Sequence, residues 1–152
     1  MSKFEISKSD LKKFVSHDKT FSFEYPEYWN IEYDDDTLVL WRGKNKTALR
    51  ITPFLVKTSD GKEFSRDKWV KDTIKAGNAI DYSKKGKLYI LHRKDYKGEE
   101  NKAPIIQKQW EVVTNKGPYI CSLTILKNKA NTKESKDELK IATRITYSIK
   151  EI

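Results

Sequence analysis

The chain has 152 residues with 4 Trp, 8 Tyr and 6 Phe, a composition that suits one aromatic-rich folded domain and argues against a disordered chain. A single cysteine, Cys121, excludes an internal disulfide and a cysteine metal cluster. The net charge of +9 lies in the later part, because residues 1–60 hold 10 basic and 10 acidic residues whereas residues 61–152 hold 21 and 12.

The first residues, 1–14, contain no apolar run of the length that a signal peptide needs, and no later segment is long and apolar enough to cross a membrane. We therefore expect a cytoplasmic protein without a membrane span. Apolar residues between Phe4 and Val15 predict one or two helical turns that lead into a strand.

The first clear strand pattern begins at Phe21. Phe21, Phe23 and Tyr25 alternate with polar residues and so share one sheet face. Pro26 has no N–H to donate to a strand ladder, so it ends the strand and opens a turn that continues to Trp29.

Two more strands and their hairpin follow. Ile31 and Tyr33 alternate with polar residues, and residues 34–36 form an acidic loop. Residues 37–42 are apolar on both faces, which predicts a central strand. The next strand, starting near residue 47, is interrupted at Pro53, where we expect an edge or a bulge.

A helix is predicted over residues 66–76. Ser65 is its N-cap, and Phe64 and Trp69 occupy the positions of a hydrophobic staple. Gly77 supplies the left-handed stop. The sequence does not indicate a strand between this helix and the turn at residues 85 and 86.

Three further strands are predicted at residues 86–93, 104–114 and 119–126, the last two forming an antiparallel hairpin. Residues 94–104, between the first two of these strands, are predicted to be a mobile loop.

The chain ends in a predicted helix with an apolar stripe that runs from Leu139 to Ile152. Ser135 and Glu138 match a capping box, and Thr132 is a competing start. The elements together predict an α+β fold, an antiparallel sheet of about six or seven strands flanked by helices.

The stretch "FVSHDKTFSFEYPEYW", residues 14–29, resembles the leading hairpin of the PsbP-like family, and the later elements follow in a similar order. The resemblance implies one PsbP-like domain over residues 1–152, an α/β/α sandwich. Relatives in that family include photosystem subunits, a Ran-binding import factor, envelope lipoproteins and secretion adaptor chaperones, most of which bind proteins. Within that family, the chain resembles an uncharacterised bacterial member.

Catalytic and metal-binding patterns are weak. Asp34, Asp35 and Asp36 lack the spacing and glycine of a calcium loop, so a solvated turn is the expected structure. His17 and His92 are the only histidines, and Cys121 falls on an apolar strand face, as a buried structural thiol does. We therefore expect no enzyme, no metal and no cofactor.

The expected function is a non-catalytic protein-interaction domain, with an adaptor, a chaperone or an immunity-type protein as candidate roles. Trp29 is expected to be buried, and Tyr28 beside it is a candidate anchor for a partner. The other candidate partner-binding residues lie in the predicted loop: Lys94, Tyr96, Lys97 and Lys102. The alternative is nucleic-acid or polyanion binding through the basic region 84–144, where Tyr82, Tyr89 and Tyr96 lie near lysines.

Overall fold

The structure is a computed structural model that describes residues 10–43, 47–54 and 64–152. Two α-helices, α1 (Arg66–Lys75) and α2 (Lys133–Tyr147), and one 3₁₀ turn (Lys127–Lys129) accompany ten strands in this part of the chain. The strands are β1 (Leu11–Val15), β2 (Phe21–Pro26), β3 (Asn30–Asp34), β4 (Thr37–Trp41), β5 (Ala48–Pro53), β6 (Ala79–Lys85), β7 (Leu88–Glu100), β8 (Ala103–Val113), β9 (Pro118–Leu126) and β10 (Lys150–Glu151).

Two antiparallel sheets organise these strands. The larger has seven strands in the order β3-β4-β5-β9-β8-β7-β6, and the smaller has three in the order β1-β2-β10. The predicted α+β architecture with a mostly antiparallel sheet is confirmed. The division into two sheets was not predicted.

The main core lies between the seven-stranded sheet on one side and the three-stranded sheet with α2 on the other. Alternate residues of the large sheet point into it, so each strand contributes every second side chain. Its fully buried members include Phe23, Leu40, Ile51, Ile90, Val112, Leu123 and Ile145.

Helix α1 covers the opposite face of the large sheet. Val70 of α1 packs with Leu91 of β7 and Val113 of β8 in a smaller cluster. Ile90 packs in the main core, and Leu91, the next residue of β7, packs in the smaller cluster on the opposite face of the sheet. The order of layers is therefore α1, the seven-stranded sheet, and then α2 beside the small sheet.

The N-terminal segment contains the strand that was predicted before Phe21: Leu11–Val15 is β1, which pairs with β2 as a hairpin. The helical turns predicted ahead of that strand fall mainly on residues 4–9, which lie outside the described residues. Phe14 lies opposite Phe23 of β2, and their rings stack with centroids 4.9 Å apart. This cross-strand contact offsets the weak strand pattern of a lysine-rich segment.

Three details of the large sheet also differ from the predictions. Strand β4 is second from the edge rather than central, because β3 pairs outside it. Pro53 marks neither an edge nor a bulge: it ends β5, an interior strand, opposite Tyr119 of β9. Strand β6 (Ala79–Lys85) was missed, because its lysines and exposed side chains give little alternation of polarity.

Helix α1 confirms the prediction for its segment within one residue. Ser65 Oγ accepts a hydrogen bond from the N–H of Lys68 at 3.3 Å, and Gly77 adopts a φ of +74°. The rings of Phe64 and Trp69 lie 5.7 Å apart, as the hydrophobic staple requires.

Helix α2 begins after Thr132, the alternative start, and it ends before the predicted apolar stripe does. Thr132, not Ser135, is the N-cap, and its Oγ1 accepts from the N–H of Ser135 at 3.2 Å. The helix ends at Tyr147, so Ile149 is buried beyond the helix and Ile152 is exposed. The last residues turn instead into β10, which pairs with Phe21 and Ser22.

Across the described ranges, no helix has both the length and the apolar content needed to span a membrane.

The start of α2 can be tested by two alanine substitutions. Thr132→Ala removes the cap and should lower the free energy of unfolding by about 1 kcal/mol. Ser135→Ala is the matched control: the Ser135 hydroxyl is buried without a hydrogen-bond partner in the described structure, so its removal should be neutral or stabilising. Urea unfolding measures both, and the reverse ranking would place the cap at Ser135.

Candidate functional site

Strands β7 and β8 form a long hairpin that continues past the end of β6. Their pairing continues to Glu100 opposite Ala103, and only Asn101 and Lys102 form the turn, with φ values of 52° and 68°. Positive φ at both central residues is typical of the two-residue turn that suits the twist of paired strands. Residues 94–104, which we call the hairpin arm, are therefore paired strands and a tight turn rather than the predicted mobile loop.

The hairpin arm has an open side. Strand β6 pairs with β7 only as far as Ala79 opposite Arg93, and no other described residue pairs with β7 on that side. A bulge between Arg93 and Tyr96 shifts the register where β6 stops, which is a common place for a β-bulge. The first half of the hairpin arm thus presents an unpaired strand edge.

The residues that face this edge follow from the turn. In a two-residue hairpin the flanking pair, here Glu100 and Ala103, is hydrogen-bonded, and the pairs then alternate along the ladder. The N–H and C=O groups of Lys97 and Glu99 consequently point away from β8. Pro104, opposite Glu99, fits this alternation because its position needs no N–H.

Tyr96 lies over Gly98 on one face of the hairpin arm. A Cβ at Gly98 would come within 2.7 to 2.9 Å of three atoms of the Tyr96 side chain, closer than packed atoms approach. The absence of a side chain at Gly98 therefore lets the Tyr96 ring occupy this position. Tyr96 still has 53% of its surface exposed.

The structure brings together four of the five predicted partner-binding residues. Lys94, Lys97 and Lys102 are exposed on the hairpin arm with Tyr96. Tyr28 is exposed too, but it lies on the turn before β3, the first strand of the sheet, whereas β7 is the sixth. Five strand spacings separate them by about 24 Å, so Tyr28 belongs to a different surface.

Several basic residues outside the hairpin arm already have partners. The Lys84 ammonium lies 5.5 Å from the centre of the Tyr89 ring, and Lys85 Nζ donates to the carbonyl of Tyr147 at 2.8 Å. The Tyr82 and Tyr89 rings are 6.5 Å apart, as cross-strand packing partners are.

Glu111 is a buried acid, with only 1% of its surface exposed. Trp69 Nε1 of α1 donates to its Oε1 at 3.1 Å, and Arg93 pairs with its Oε2 at 3.3 Å. Both oxygens are engaged, so Glu111 fastens α1 to the sheet and offers no free group for chemistry.

Cys121, the potential nucleophile, and His92 lie apart. One cross-strand row runs from His92 through Trp110 to Cys121, so the histidine and the thiol are two strands, about 10 Å, apart. Burial raises the pKa of the Cys121 thiol to about 12, which keeps it protonated and unreactive. The expectation that Cys121 is a buried thiol is confirmed.

The acidic trio forms the β3–β4 turn, with Asp34 opposite Thr37 and Asp35 at a φ of 54°. No three metal-binding groups come together among the residues that the structure covers. Trp29, the neighbour of Tyr28, is buried at 3% exposure, as expected.

Sequence reasoning did not single out Gly98 and Glu99 of the hairpin arm or the exposed Ile80 of β6, whereas it did name the exposed Tyr82 of β6. One signal for the contact between Tyr96 and Gly98 was available in the sequence, a glycine two residues after a tyrosine. The charged residues around it hide the alternation of polar and apolar residues that marks a strand. The open edge itself depends on where β6 stops, which no local pattern predicts.

No family model and no curated protein matches the chain. The fold is similar to a crystal structure from Bacteroides thetaiotaomicron VPI-5482, with a TM-score of 0.67 and 20% identity over 94% of this chain and 49% of that chain. The present chain thus spans about half the length of that protein, and the likeness concerns the fold alone. A solution structure of cyanobacterial PsbP (CyanoP) from Synechocystis sp. PCC 6803 aligns with a TM-score of 0.40 and 13% identity over 100% of this chain and 98% of that chain, a match too weak to carry an argument.

The contact between Tyr96 and Gly98 can be tested by a double-mutant cycle. Alanine is better than glycine within a strand by roughly 0.5–1 kcal/mol. Gly98→Ala should give this gain in a Tyr96→Ser background and lose it in the wild-type chain, where the new Cβ displaces the ring. Equal effects in both backgrounds, measured by chemical unfolding, would show that the ring does not lie on Gly98.

Proposed function

We propose that this chain is a non-catalytic protein-interaction domain that adds an extended segment of another protein to the open edge of the hairpin arm. The observation that carries the proposal is the early end of β6, which leaves the backbone of Lys97 and Glu99 without a neighbouring strand among the described residues. Strand addition is a common way for a sheet to bind a peptide, because main-chain hydrogen bonds supply affinity.

The side chains beside the edge suit a protein segment. Tyr96 is held over Gly98 and exposed, and an amphipathic ring that is already ordered is a good interface anchor. The side chain of Asp95 accepts a hydrogen bond from Lys108 Nζ at 2.6 Å, which fixes the bulge beside Tyr96. Because the edge is ordered before binding, the entropy lost on binding comes mainly from the partner.

The charge of the hairpin arm favours a protein over a polyanion. Lys94, Lys97 and Lys102 are balanced within residues 94–104 by an equal number of carboxylates, from Asp95, Glu99 and Glu100. A nucleic-acid groove needs a surplus of cations along the backbone path. Nearby, the Glu111 carboxylate offsets the charge of Arg93.

The proposed roles are those of an adaptor or a chaperone, which the resemblance to the PsbP-like family supports because most of its members bind proteins. The cytoplasm is the proposed location. A single cysteine, buried and protonated at neutral pH, suits a reducing compartment.

The proposal is tested by site-specific photocrosslinking in a lysate of the source organism. A benzophenone amino acid replaces Lys97 in one version and Glu32, on the opposite edge strand β3, in the control version. We expect a protein adduct from the position of Lys97 alone, unaffected by nuclease. Glu99→Pro, which removes an outward N–H without breaking the β7–β8 ladder, should reduce the adduct about tenfold, the effect of losing about 1.4 kcal/mol.

Glu99→Ala is the matched variant, since it removes the same carboxylate but keeps the N–H, and it should retain the adduct. Equal yields from the proline and alanine variants would contradict strand addition. An adduct that disappears with nuclease would favour the polyanion alternative, and an adduct only at the position of Glu32 would place the interface on β3.

A further inference from the structure

A cleft of about 350 Å³ opens at the end of the molecule opposite the hairpin arm. Four chain segments surround it: the β1–β2 turn at Ser16–Thr20, the β3–β4 turn at Asp36, the end of β5 at Pro53 and Phe54, and the β8–β9 turn at Thr114–Gly117. Its volume lies at the small end of the range for ligand sites. None of its lining residues belongs to the open edge of the hairpin arm.

Aromatic rings form the walls of the cleft. Phe21 and Tyr119 lie deepest, with ring centroids 4.8 Å apart, and Tyr33 and Phe54 stand at the rim. Tyr33 is held in place, because its hydroxyl accepts a hydrogen bond from the N–H of His17 at 3.2 Å and its ring lies 4.5 Å from the imidazole. Faces of aromatic rings attract cations.

A fixed carboxylate lines the cleft at Asp18. Its Oδ1 accepts hydrogen bonds from the hydroxyls of Ser16 at 2.7 Å and Thr20 at 2.8 Å. The bond from Ser16, followed by the bond from Thr20, lowers the pKa of Asp18, so this group stays negatively charged at neutral pH.

The cleft is acidic although the chain as a whole carries a net charge of +9. Asp36 lines it together with Asp18, and among the described lining residues the one lysine or arginine is Lys116. Asp34 and Asp35 lie next to Asp36 at the β3–β4 turn and add negative charge, whereas the described part of the four segments adds one lysine, Lys19 of the β1–β2 turn. A local excess of carboxylates beside aromatic faces favours a positively charged ligand.

We propose that this cleft binds a primary ammonium or guanidinium group on a slim aliphatic chain. The rings of Tyr33, Phe54 and Tyr119 contact the aliphatic part, and the carboxylates of Asp18 and Asp36 receive the cation. Such a group has two sources, the side chain of a lysine or arginine in a peptide and a small free amine, and both share the same recognition chemistry.

Nuclear magnetic resonance titration of the full chain tests this site. The probe is a capped tripeptide with a central lysine, and the matched control replaces that lysine by norleucine, which keeps the aliphatic chain without the charge. We expect saturable shifts at the residues lining the cleft from the lysine peptide and none from the norleucine peptide. A comparison with n-butylamine identifies the source: tighter binding of the peptide indicates a peptide ligand, and equal binding indicates a free amine.

Three variants test whether the charges at the cleft determine the affinity for the lysine peptide. Asp36→Asn should weaken the lysine peptide about threefold, and Lys116→Met should strengthen it by a similar factor, as expected for partly exposed charges. Asp67→Asn on α1 removes a distant carboxylate and should change nothing. The proposal is overturned if the norleucine peptide binds as well as the lysine peptide, if shifts do not saturate, or if Asp36→Asn and Lys116→Met leave the affinity unchanged.

Discussion

The rest of the structure depends on the pairing of β8 with a strand on each side. Strand β8 pairs with β7 from Ala103 to Val113, with one interruption at the bulge opposite Lys108, and with β9 from Ile105 to Val113. Its alternation sends Trp110 and Val112 into the main core, while Glu111 and Val113 meet α1 on the other face. Strand β8 therefore contacts the helix layers on both faces of the sheet, and its ladder with β7 continues past the end of β6 as the hairpin arm.

The sequence predicted correctly those parts of the fold that depend on contacts between residues close together in the chain. The cap at Ser65, the left-handed Gly77 and the alternation from Phe21 to Tyr25 each depend on neighbours in the chain, and the structure confirms each. The parts that failed depend on distant pairing. Strand β6 is made regular by β7, and the end of the chain leaves the helix because β2 offers an edge for β10.

The candidate site shows the same division. Exposed Lys94, Tyr96, Lys97 and Lys102 were identified from the sequence, but their segment was expected to be mobile because lysine and glutamate weaken a strand pattern. The hairpin arm is ordered because it pairs with β8, and one side of it is open because β6 ends at Ala79. Both properties depend on residues outside the segment, so the sequence of the segment does not predict them. The cleft is likewise assembled from four distant turns, and the hairpin arm and the cleft lie at opposite ends of β8.

Amide hydrogen exchange along β7, resolved residue by residue in the free protein, tests most directly whether the hairpin arm is an ordered strand with an open edge. Protection should alternate: the N–H groups of Tyr96, Gly98 and Glu100 face β8 and should exchange slowly, while those of Lys97 and Glu99 face outward and should exchange fast. Uniformly fast exchange over residues 94–100 would show a mobile loop, and uniformly slow exchange would show an edge that is already covered. Either uniform result would contradict the open edge on which the proposed function depends.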